Sequence, residues 1–266
     1  PPPPPPFFIT QKPANAMLRS LVGSEMCIRD SLNSMDVINK IGDKLSTDIT
    51  IVDDNGNSVQ IGQFFNDKPT VLAMAYYNCP MLCTMVLNGL SEAINGSKLI
   101  PGTDYNVLTV SIDPSETTSL AREKKNNYIN KYFKDNKNDF WTFATAESKD
   151  IELLAKELGF QYSYDSYTKQ YAHPAVIYII SNDGIVSHHL FGVAPTSNDF
   201  SMAITEASDG KFASIFDKIL LYCYKYDPDA GSYSLVATNV MKVAGVSTMF
   251  VMASFLSFFW YKESKV

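Results

Sequence analysis

The sequence is short of histidine, arginine and cysteine, and each shortage limits the functions open to it. The 266 residues include three histidines and four cysteines, and the formal net charge is −6 with a pI of about 5.1. No cluster of lysine or arginine occurs, so the basic surface of a nucleic-acid-binding protein is not expected. Four cysteines do not make a disulfide scaffold in a chain of this length. Each histidine and cysteine is therefore considered individually as a site residue.

The N-terminal 33 residues carry no pattern of a folded domain. Pro1–Pro6 form a homopolymer that favours extended polyproline II, and the following segment has no clear amphipathic period. The stretch VGSEMCIRDS resembles a translated sequencing adapter. We therefore interpret residues 1–33 as a non-native or disordered leader, in which Cys27 says nothing about function. The charged and apolar regions of a secretory signal peptide are missing from it.

From Ser34 the sequence alternates between strand and helix patterns. DITIVDDNGNSVQIGQFF predicts a β-hairpin around an Asp-Asn-Gly turn, and the rest predicts the order β-α-β-α-β-α-β-β-α. The final predicted element is a helix or helix-strand over residues 211–226. Alternating strands and helices indicate an α/β fold with a mixed sheet covered on both faces. A cysteine pair between a buried strand and the next helix favours a thioredoxin-like fold.

The C-terminal region predicts one transmembrane helix over residues 243–261. This segment contains no charged residue and is long enough to span a bilayer, and Trp260 and Tyr261 fit an aromatic belt at its end. The alternative is a buried core helix. The predicted organisation after the leader is a thioredoxin-like domain (34–226), a linker (227–242), the span and a cytoplasmic tail (262–266). With the tail in the cytoplasm, the domain would lie on the opposite side of the membrane.

The segment YYNCPMLCTMVLNGL holds Cys79 and Cys83 in a CxxxC spacing. Cys79 follows a predicted strand, and Pro80 suits the first turn of a helix, so Cys79 is expected at a helix N-terminus. There the helix dipole and unpaired N–H groups favour the thiolate, which is the reactive and metal-binding form. Cys83 lies one turn further along the same face. The pattern alone leaves a disulfide, a redox pair and a metal site open.

A metal site with two sulfurs needs a third ligand, and His173 is the best candidate. It stands directly before a predicted strand in QYAHPAVIYII, and in a thioredoxin-like sheet this loop lies beside the start of the cysteine helix. Pro174 resembles the proline that such folds place opposite their cysteines. Thiolates with imidazole select soft metals such as Cu(I) or Zn(II). Cys79, Cys83 and His173 therefore form a candidate metal triad.

Three separated blocks stand out in the predicted domain: the CPxxC block at Cys79 and Cys83, the block LTVSIDPSETTSLAREKKNNYINKY, and the His173 block QYAHPAVIYIISNDGIV. In this order they resemble the Sco/SenC family of copper-binding cytochrome c oxidase assembly proteins. The resemblance covers roughly residues 36–225, and the C-terminal end is similar to a bacterial subgroup anchored at the C-terminus. One position departs from the family: Thr117 stands where many members have an acidic residue. Asp113 and Met81 remain candidates for auxiliary roles near the metal.

The resemblance implies a copper metallochaperone. Cys79, Cys83 and His173 would hold Cu(I) or Cu(II), and the receiver would be the dinuclear copper site of cytochrome c oxidase subunit II. Other copper chaperones and thiol–disulfide oxidoreductases are further implied partners. The implied location is the bacterial inner membrane, with the soluble domain facing the periplasm. Oxidation to a Cys79–Cys83 disulfide would release the metal.

Three other functions remain open at this stage. The first is a thiol–disulfide oxidoreductase that reduces the oxidase cysteines, and the second is a peroxidase of the peroxiredoxin type, which needs an arginine such as Arg122 beside its cysteine. The third is a copper sensor without a delivery role. Cys223, His188 and His189 are interpreted as structural residues.

Overall fold

The structure is a computed structural model that describes residues 37–65, 67–79, 81–134, 139–208, 224–227, 232–235 and 237–263. The chain forms two compact units. The larger consists of Asn39–Gly159 and Ala175–Val266, and the smaller of Pro1–Ile38 and Phe160–Pro174. The predicted leader and the cysteines Cys27 and Cys223 lie outside the described residues.

A five-stranded mixed sheet forms the centre of the larger unit, with the strand order β5-β4-β3-β8-β9. Its strands are β3 (Thr70–Ala75), β4 (Asn106–Ser111), β5 (Trp141–Ala144), β8 (Val176–Ile180) and β9 (Val186–Phe191). The first three are parallel, and β8 pairs antiparallel with both β3 and β9. Every residue of β3 and β8 is buried, as expected for central strands that read as continuous apolar runs. The predicted mixed α/β sheet is confirmed.

Four helices follow strands of this sheet. They are α1 (Leu82–Gly96), α2 (Thr118–Tyr132), α3 (Ser148–Leu158) and α4 (Ser197–Ala207). The parallel connections require such crossovers, since a tight turn cannot join parallel strands. Helix α2 packs against β5, and α4 packs against α1 and β9. Gly89 permits a close approach in α1, because a Cβ there would lie 1.9 Å from the carbonyl oxygen of Val193.

Helix α2 is tied to the rest of the larger unit by a buried ion pair. Nζ of Lys125 lies 2.8 Å from Oδ2 of Asp54 and 2.5 Å from Oδ1 of Asp139. Asp54 sits in the turn between β1 (Thr50–Val52) and β2 (Ser58–Gln60), the hairpin that the sequence predicts. Both Lys125 and Asp54 are buried, so each depends on the other for its charge to be tolerated.

The smaller unit contains a short antiparallel hairpin, β6 (Ser163–Asp165) with β7 (Gln170–Ala172). The chain enters it through an antiparallel bridge between Val37 and Phe160. The hairpin projects tyrosines outward, and Tyr167 in its turn is 94% exposed. The predicted element order does not include this hairpin, because strands of three residues leave too short a pattern to recognise.

Most of the helix or helix-strand predicted over residues 211–226 lies outside the described residues, namely residues 211–223. The described end of this segment is the strand β10 (Tyr224–Asp227), which pairs with β11 (Ser232–Leu235). The sequence reading missed α4, whose start carries a capping signal: the Thr196 hydroxyl accepts a hydrogen bond from the backbone N–H of Asp199 at 3.1 Å.

The predicted transmembrane span falls within α5 (Ala237–Glu263), a single helix of 27 residues. Among the residues that the structure describes, no helix combines the length and apolar character needed to cross a membrane. The predicted transmembrane helix is therefore not confirmed.

Candidate metal centre

Cys79 and Cys83 lie where β3 gives way to α1. The helix begins at Leu82, so Cys79 belongs to the preceding loop rather than to the helix start that the sequence predicts, and Pro80 lies outside the described residues. Cys83 is in the first turn, and its backbone N–H donates to Sγ of Cys79 at 3.2 Å. The helix N-terminus therefore serves Cys79 as predicted, through a donated N–H. No disulfide joins the two cysteines.

The two thiols differ in exposure and in acidity. Cys79 is 8% exposed and Cys83 is 1% exposed. Burial raises the pKa of Cys79, but hydrogen bonds from the backbone of Cys83 and Met81 more than offset this, so its pKa is lowered overall. Burial raises the pKa of Cys83 strongly, and the neighbouring charge of Cys79 adds to that effect. Cys79 is thus the more acidic thiol of the pair and Cys83 the less acidic one.

His173 stands between β7 and β8 and is buried. Its Nδ1 lies 2.9 Å from the carbonyl oxygen of Pro174. Since a carbonyl only accepts, Nδ1 carries the proton and Nε2 carries the lone pair that a metal needs. The Phe160 ring packs on the imidazole with the ring centroids 5.9 Å apart. Burial lowers the pKa of His173, which keeps the ring neutral at physiological pH.

The ligand atoms of Cys79, Cys83 and His173 all lie within 4.8 Å of one another. The structure thus brings together the three residues that the sequence selects. Two sulfurs and one imidazole nitrogen form a soft donor set, which suits Cu(I) or Zn(II) better than Mg²⁺ or Ca²⁺. A buried imidazole held neutral by burial is ready to bind without first losing a proton.

A family model for SCO1/SenC matches residues 40–206. The chain belongs to the SCO1/SenC family. The match includes all three candidate ligands and every strand of the central sheet. A search of curated proteins found no significant match.

Solved structures resemble the chain at low sequence identity. A putative electron transfer protein from Aquifex aeolicus VF5 has a TM-score of 0.57 at 24% identity, covering 65% of this chain and 97% of its own. A SCO1/SenC family lipoprotein from Bacillus anthracis str. Ames has a TM-score of 0.52 at 16% identity, covering 65% and 99%. ScoI from Arabidopsis thaliana, solved with copper bound, has a TM-score of 0.49 at 19% identity, covering 63% and 97%. The likeness to the first two structures confirms the predicted thioredoxin-like fold with a mixed sheet.

Asp113 and Met81, the candidates for auxiliary roles near the metal, lie in a turn and on the surface of this SCO1/SenC domain. The carboxylate of Asp113 accepts hydrogen bonds from the backbone N–H and the hydroxyl of Ser115, at 2.9 and 2.6 Å, so it caps a turn. Met81 is 67% exposed just before α1. Thr117, at the position that departs from the family pattern, is the N-cap of α2. The auxiliary roles of Asp113 and Met81 remain predictions.

The remaining histidines and Arg122 have structural partners. Nε2 of His188 lies 2.8 Å from Oε2 of Glu206, and His189 is buried with its ring edge against Tyr178. Nε of Arg122 donates to the backbone oxygen of Asp54 at 2.7 Å. The arginine that a peroxidase needs beside its cysteine is therefore engaged in holding α2.

Sequence reasoning missed one buried group beside the cysteines. Glu116 binds the two backbone N–H groups that immediately precede Cys79, at 2.8 Å each. A glutamate in a polar helix start is normally exposed, so the pattern gives no sign of this contact. The only available signal was its place two residues after the Asp-Pro turn of the second family block.

Proposed function

We propose that this chain is a copper metallochaperone, with Cys79, Cys83 and His173 as the copper ligands. The observation that carries the proposal is the convergence of two thiol sulfurs and an imidazole nitrogen within 4.8 Å. Thiolates select Cu(I), and imidazole suits copper as well. Membership of the SCO1/SenC family supports copper over zinc as the cargo, because the family resemblance implies copper.

The residues perform different tasks in this function. Cys79, with its lowered pKa, gives up its proton more readily than Cys83 and is the first sulfur to bind the metal. Cys83, with its raised pKa, must lose a proton when the metal enters, so loading is coupled to proton release. His173 presents the lone pair of Nε2 because its Nδ1–H donates a hydrogen bond to the Pro174 carbonyl. Three ligands leave coordination positions that a receiving protein can occupy during transfer.

The proposed receiver is the dinuclear copper site of cytochrome c oxidase subunit II. The family resemblance supports this partner, and transfer between proteins with sulfur and nitrogen ligands suits a Cu(I) cargo. Other copper chaperones are the proposed source of the metal. A deletion strain whose oxidase activity returns with added copper would support delivery over sensing.

The first test is Cu(I) titration of the reduced full chain against a chromogenic Cu(I) chelator. We expect one tightly bound copper per chain, with tight binding lost in Cys83→Ala and in His173→Ala. His188→Gln is the matched control, because His188 is a buried imidazole hydrogen-bonded to Glu206 and should leave binding unchanged. Weak binding that is indifferent to His173 would refute the metallochaperone proposal.

The difference between the two cysteines favours a second candidate, a thiol–disulfide reductase for the oxidase cysteines. The Cys79 thiolate would attack the substrate disulfide and form a mixed disulfide. Cys83, once deprotonated, would then attack Sγ of Cys79, forming the Cys79–Cys83 disulfide and releasing the substrate as a dithiol. Two electrons and two protons pass to the substrate, and a second dithiol protein would return the pair to the reduced state. Turnover with a disulfide peptide of subunit II, retained in His173→Ala, would favour this candidate.

We also propose that the domain works on the periplasmic side of the bacterial inner membrane. The support is the proposed target, whose copper site must be loaded outside the cytoplasm, and the uncharged segment over residues 243–261. Cell fractionation with protease accessibility tests the side, and carbonate extraction tests how the chain is attached. Recovery of the full chain in the cytoplasmic fraction would contradict the proposal.

A further inference from the structure

A buried carboxylate is bound to the backbone of the loop that carries Cys79. Glu116 is 7% exposed, and its Oε2 accepts from the backbone N–H of Tyr77 at 2.8 Å and from the Ser111 hydroxyl at 2.6 Å. Its Oε1 accepts from the backbone N–H of Asn78 at 2.8 Å. Hydrogen bonds to an ionised carboxylate are stronger than neutral ones.

These N–H groups have no place in a regular ladder. They lie between the end of β3 at Ala75 and the start of α1 at Leu82. Buried backbone donors need a partner, and here one side chain from another part of the sequence supplies it. Cys79 is the next residue, and its own N–H donates to the carbonyl of Tyr76 at 3.3 Å. Glu116 therefore fixes the orientation of the two peptide groups that precede Cys79.

The backbone carbonyl of Tyr77 is bound by a positively charged side chain, that of Lys124. Nζ of Lys124 donates to the backbone oxygen of Tyr77 at 2.9 Å, while the Tyr77 side chain donates from its hydroxyl to the carbonyl of Ala144 at 2.6 Å. Glu116 lies just before the Thr117 N-cap of α2, and Lys124 lies in the second turn of the helix. Side chains from this end of α2 therefore bind both the N–H and the C=O groups of the loop. The Asp113 carboxylate, by contrast, is used within its own turn.

We propose that Glu116 is a positioning residue for the metal centre, which fixes the backbone at Tyr77 and Asn78 and so aims Sγ of Cys79. It acts through the loop and is not itself a ligand. The effect of Glu116 on metal affinity rests on the proposed copper function, whereas its effect on the loop does not.

The experiment compares Glu116→Gln and Glu116→Ala with the wild-type full chain. The matched control is Glu157→Gln, because Glu157 also accepts from a backbone N–H and a hydroxyl, both of Ser46, at 2.8 and 2.5 Å. In the metal-free protein we expect amide exchange at Tyr77 and Asn78 to rise about 10- to 100-fold in Glu116→Ala, the factor for losing a hydrogen bond to a charged group. Iodoacetamide should also alkylate Cys79 faster.

In the copper arm, Cu(I) affinity should fall about 10- to 100-fold in Glu116→Ala, as for other groups that orient a metal ligand. Glu116→Gln keeps one acceptor oxygen and should give an intermediate loss in every readout. Glu157→Gln should keep wild-type affinity, alkylation rate and exchange at residues 77–78.

The proposal is overturned if the Glu116 variants are merely destabilised, as Glu157→Gln is. In that outcome, amide exchange at Tyr77 and Asn78, the alkylation rate of Cys79 and the Cu(I) affinity all stay at their wild-type values. If Glu116→Ala does not fold, Glu116→Gln decides the question by the same readouts. If the wild-type protein binds no Cu(I) tightly, the proposed function fails, and the metal-free arm still decides whether Glu116 positions Cys79.

Discussion

The cysteine segment (residues 77–83) and the histidine segment (residues 160–174) supply the candidate ligands, but they are held by different kinds of contact. In the cysteine segment, the backbone is bound by the charged side chains of Glu116 and Lys124. In the histidine segment, neighbouring aromatic rings make the contacts, including the Phe160 ring on His173. Its β6 strand is exposed throughout.

This difference shows where each ligand gets its orientation. The direction of Cys79 depends on α2 and the sheet, which are distant in sequence, and so on the stability of the whole larger unit. The orientation of His173 depends on residues close to it in sequence, namely Phe160 and Pro174. Substitutions that loosen α2 should therefore disturb the cysteine sulfurs more than His173. Substitutions in the exposed hairpin should have little effect on the free energy of unfolding.

The largest expected effect comes from loosening α2. In Lys125→Met, Asp54 keeps its buried charge but loses its ion-pair partner, so the free energy of unfolding should fall by about 3–5 kcal/mol. Urea unfolding of the metal-free chain measures this. Lys149→Met is the control, because its ion pair with Glu147 is exposed and should contribute no more than about 1 kcal/mol. A loss below about 1 kcal/mol in Lys125→Met would mean that this ion pair contributes no more to holding α2 than an exposed pair does.

The next prediction concerns how the free energy of unfolding depends on pH, which has opposite signs for the buried imidazoles and for Cys83. Burial, aided by the charge of His188, lowers the pKa of His189 from 6.5 to about 4. The stability from keeping His189 neutral is therefore complete above pH 6.5 and is lost as the pH falls towards 4, by about 3 kcal/mol in all. His189→Phe keeps a ring but removes the titration, so its unfolding free energy should fall less between pH 7 and 4.

The same measurement sharpens the comparison between the two segments. His173 also has a pKa lowered by burial, so acid sensitivity that remains in His189→Phe should be reduced by adding His173→Phe. Cys83 has the opposite sign: its raised pKa gives stability that is present below the unfolded pKa and is lost as the pH rises. Identical acid limbs in wild type and His189→Phe would contradict the assignment.

The sequence predicts the sheet and the ligand triad because both leave local patterns. Buried strands read as apolar runs, and Cys79, Cys83 and His173 stand next to such runs. Glu116 could not be found this way, since its partners are backbone N–H groups and a backbone contact leaves no mark on the partner's side chain. Helix α4 escapes prediction for a different reason: its start carries a capping signal at Thr196, but the apolar pattern of the later segment 211–226 predicts the last helix or helix-strand there.

A smaller effect tests the tyrosine that supports the cysteine segment. Tyr77→Phe removes the hydrogen bond to the Ala144 carbonyl, so stability should fall by about 1 kcal/mol and amide exchange at residues 77–79 should rise. Tyr105→Phe is the matched control, because the buried Tyr105 hydroxyl has no hydrogen-bond partner among the described residues. Its removal should be neutral or stabilising. Equal losses in both variants would show that the Tyr77 hydroxyl contributes only buried volume.

The smallest effect is expected in the histidine segment. Tyr164 is more than half exposed, and its ring centroid lies 5.0 Å from that of Tyr171 in the same hairpin. Tyr164→Ala should change the unfolding free energy by no more than about 0.5 kcal/mol, as for other surface substitutions, and Cu(I) affinity should stay at the wild-type value because Phe160 and Pro174 still orient His173. Tyr167→Ala, in the exposed turn, gives the baseline for a side chain without packing. A loss above about 1 kcal/mol in Tyr164→Ala alone would mean that the hairpin is as firmly held as the cysteine segment, since an exposed ring can cost that much only when its removal loosens the buried residues beneath it.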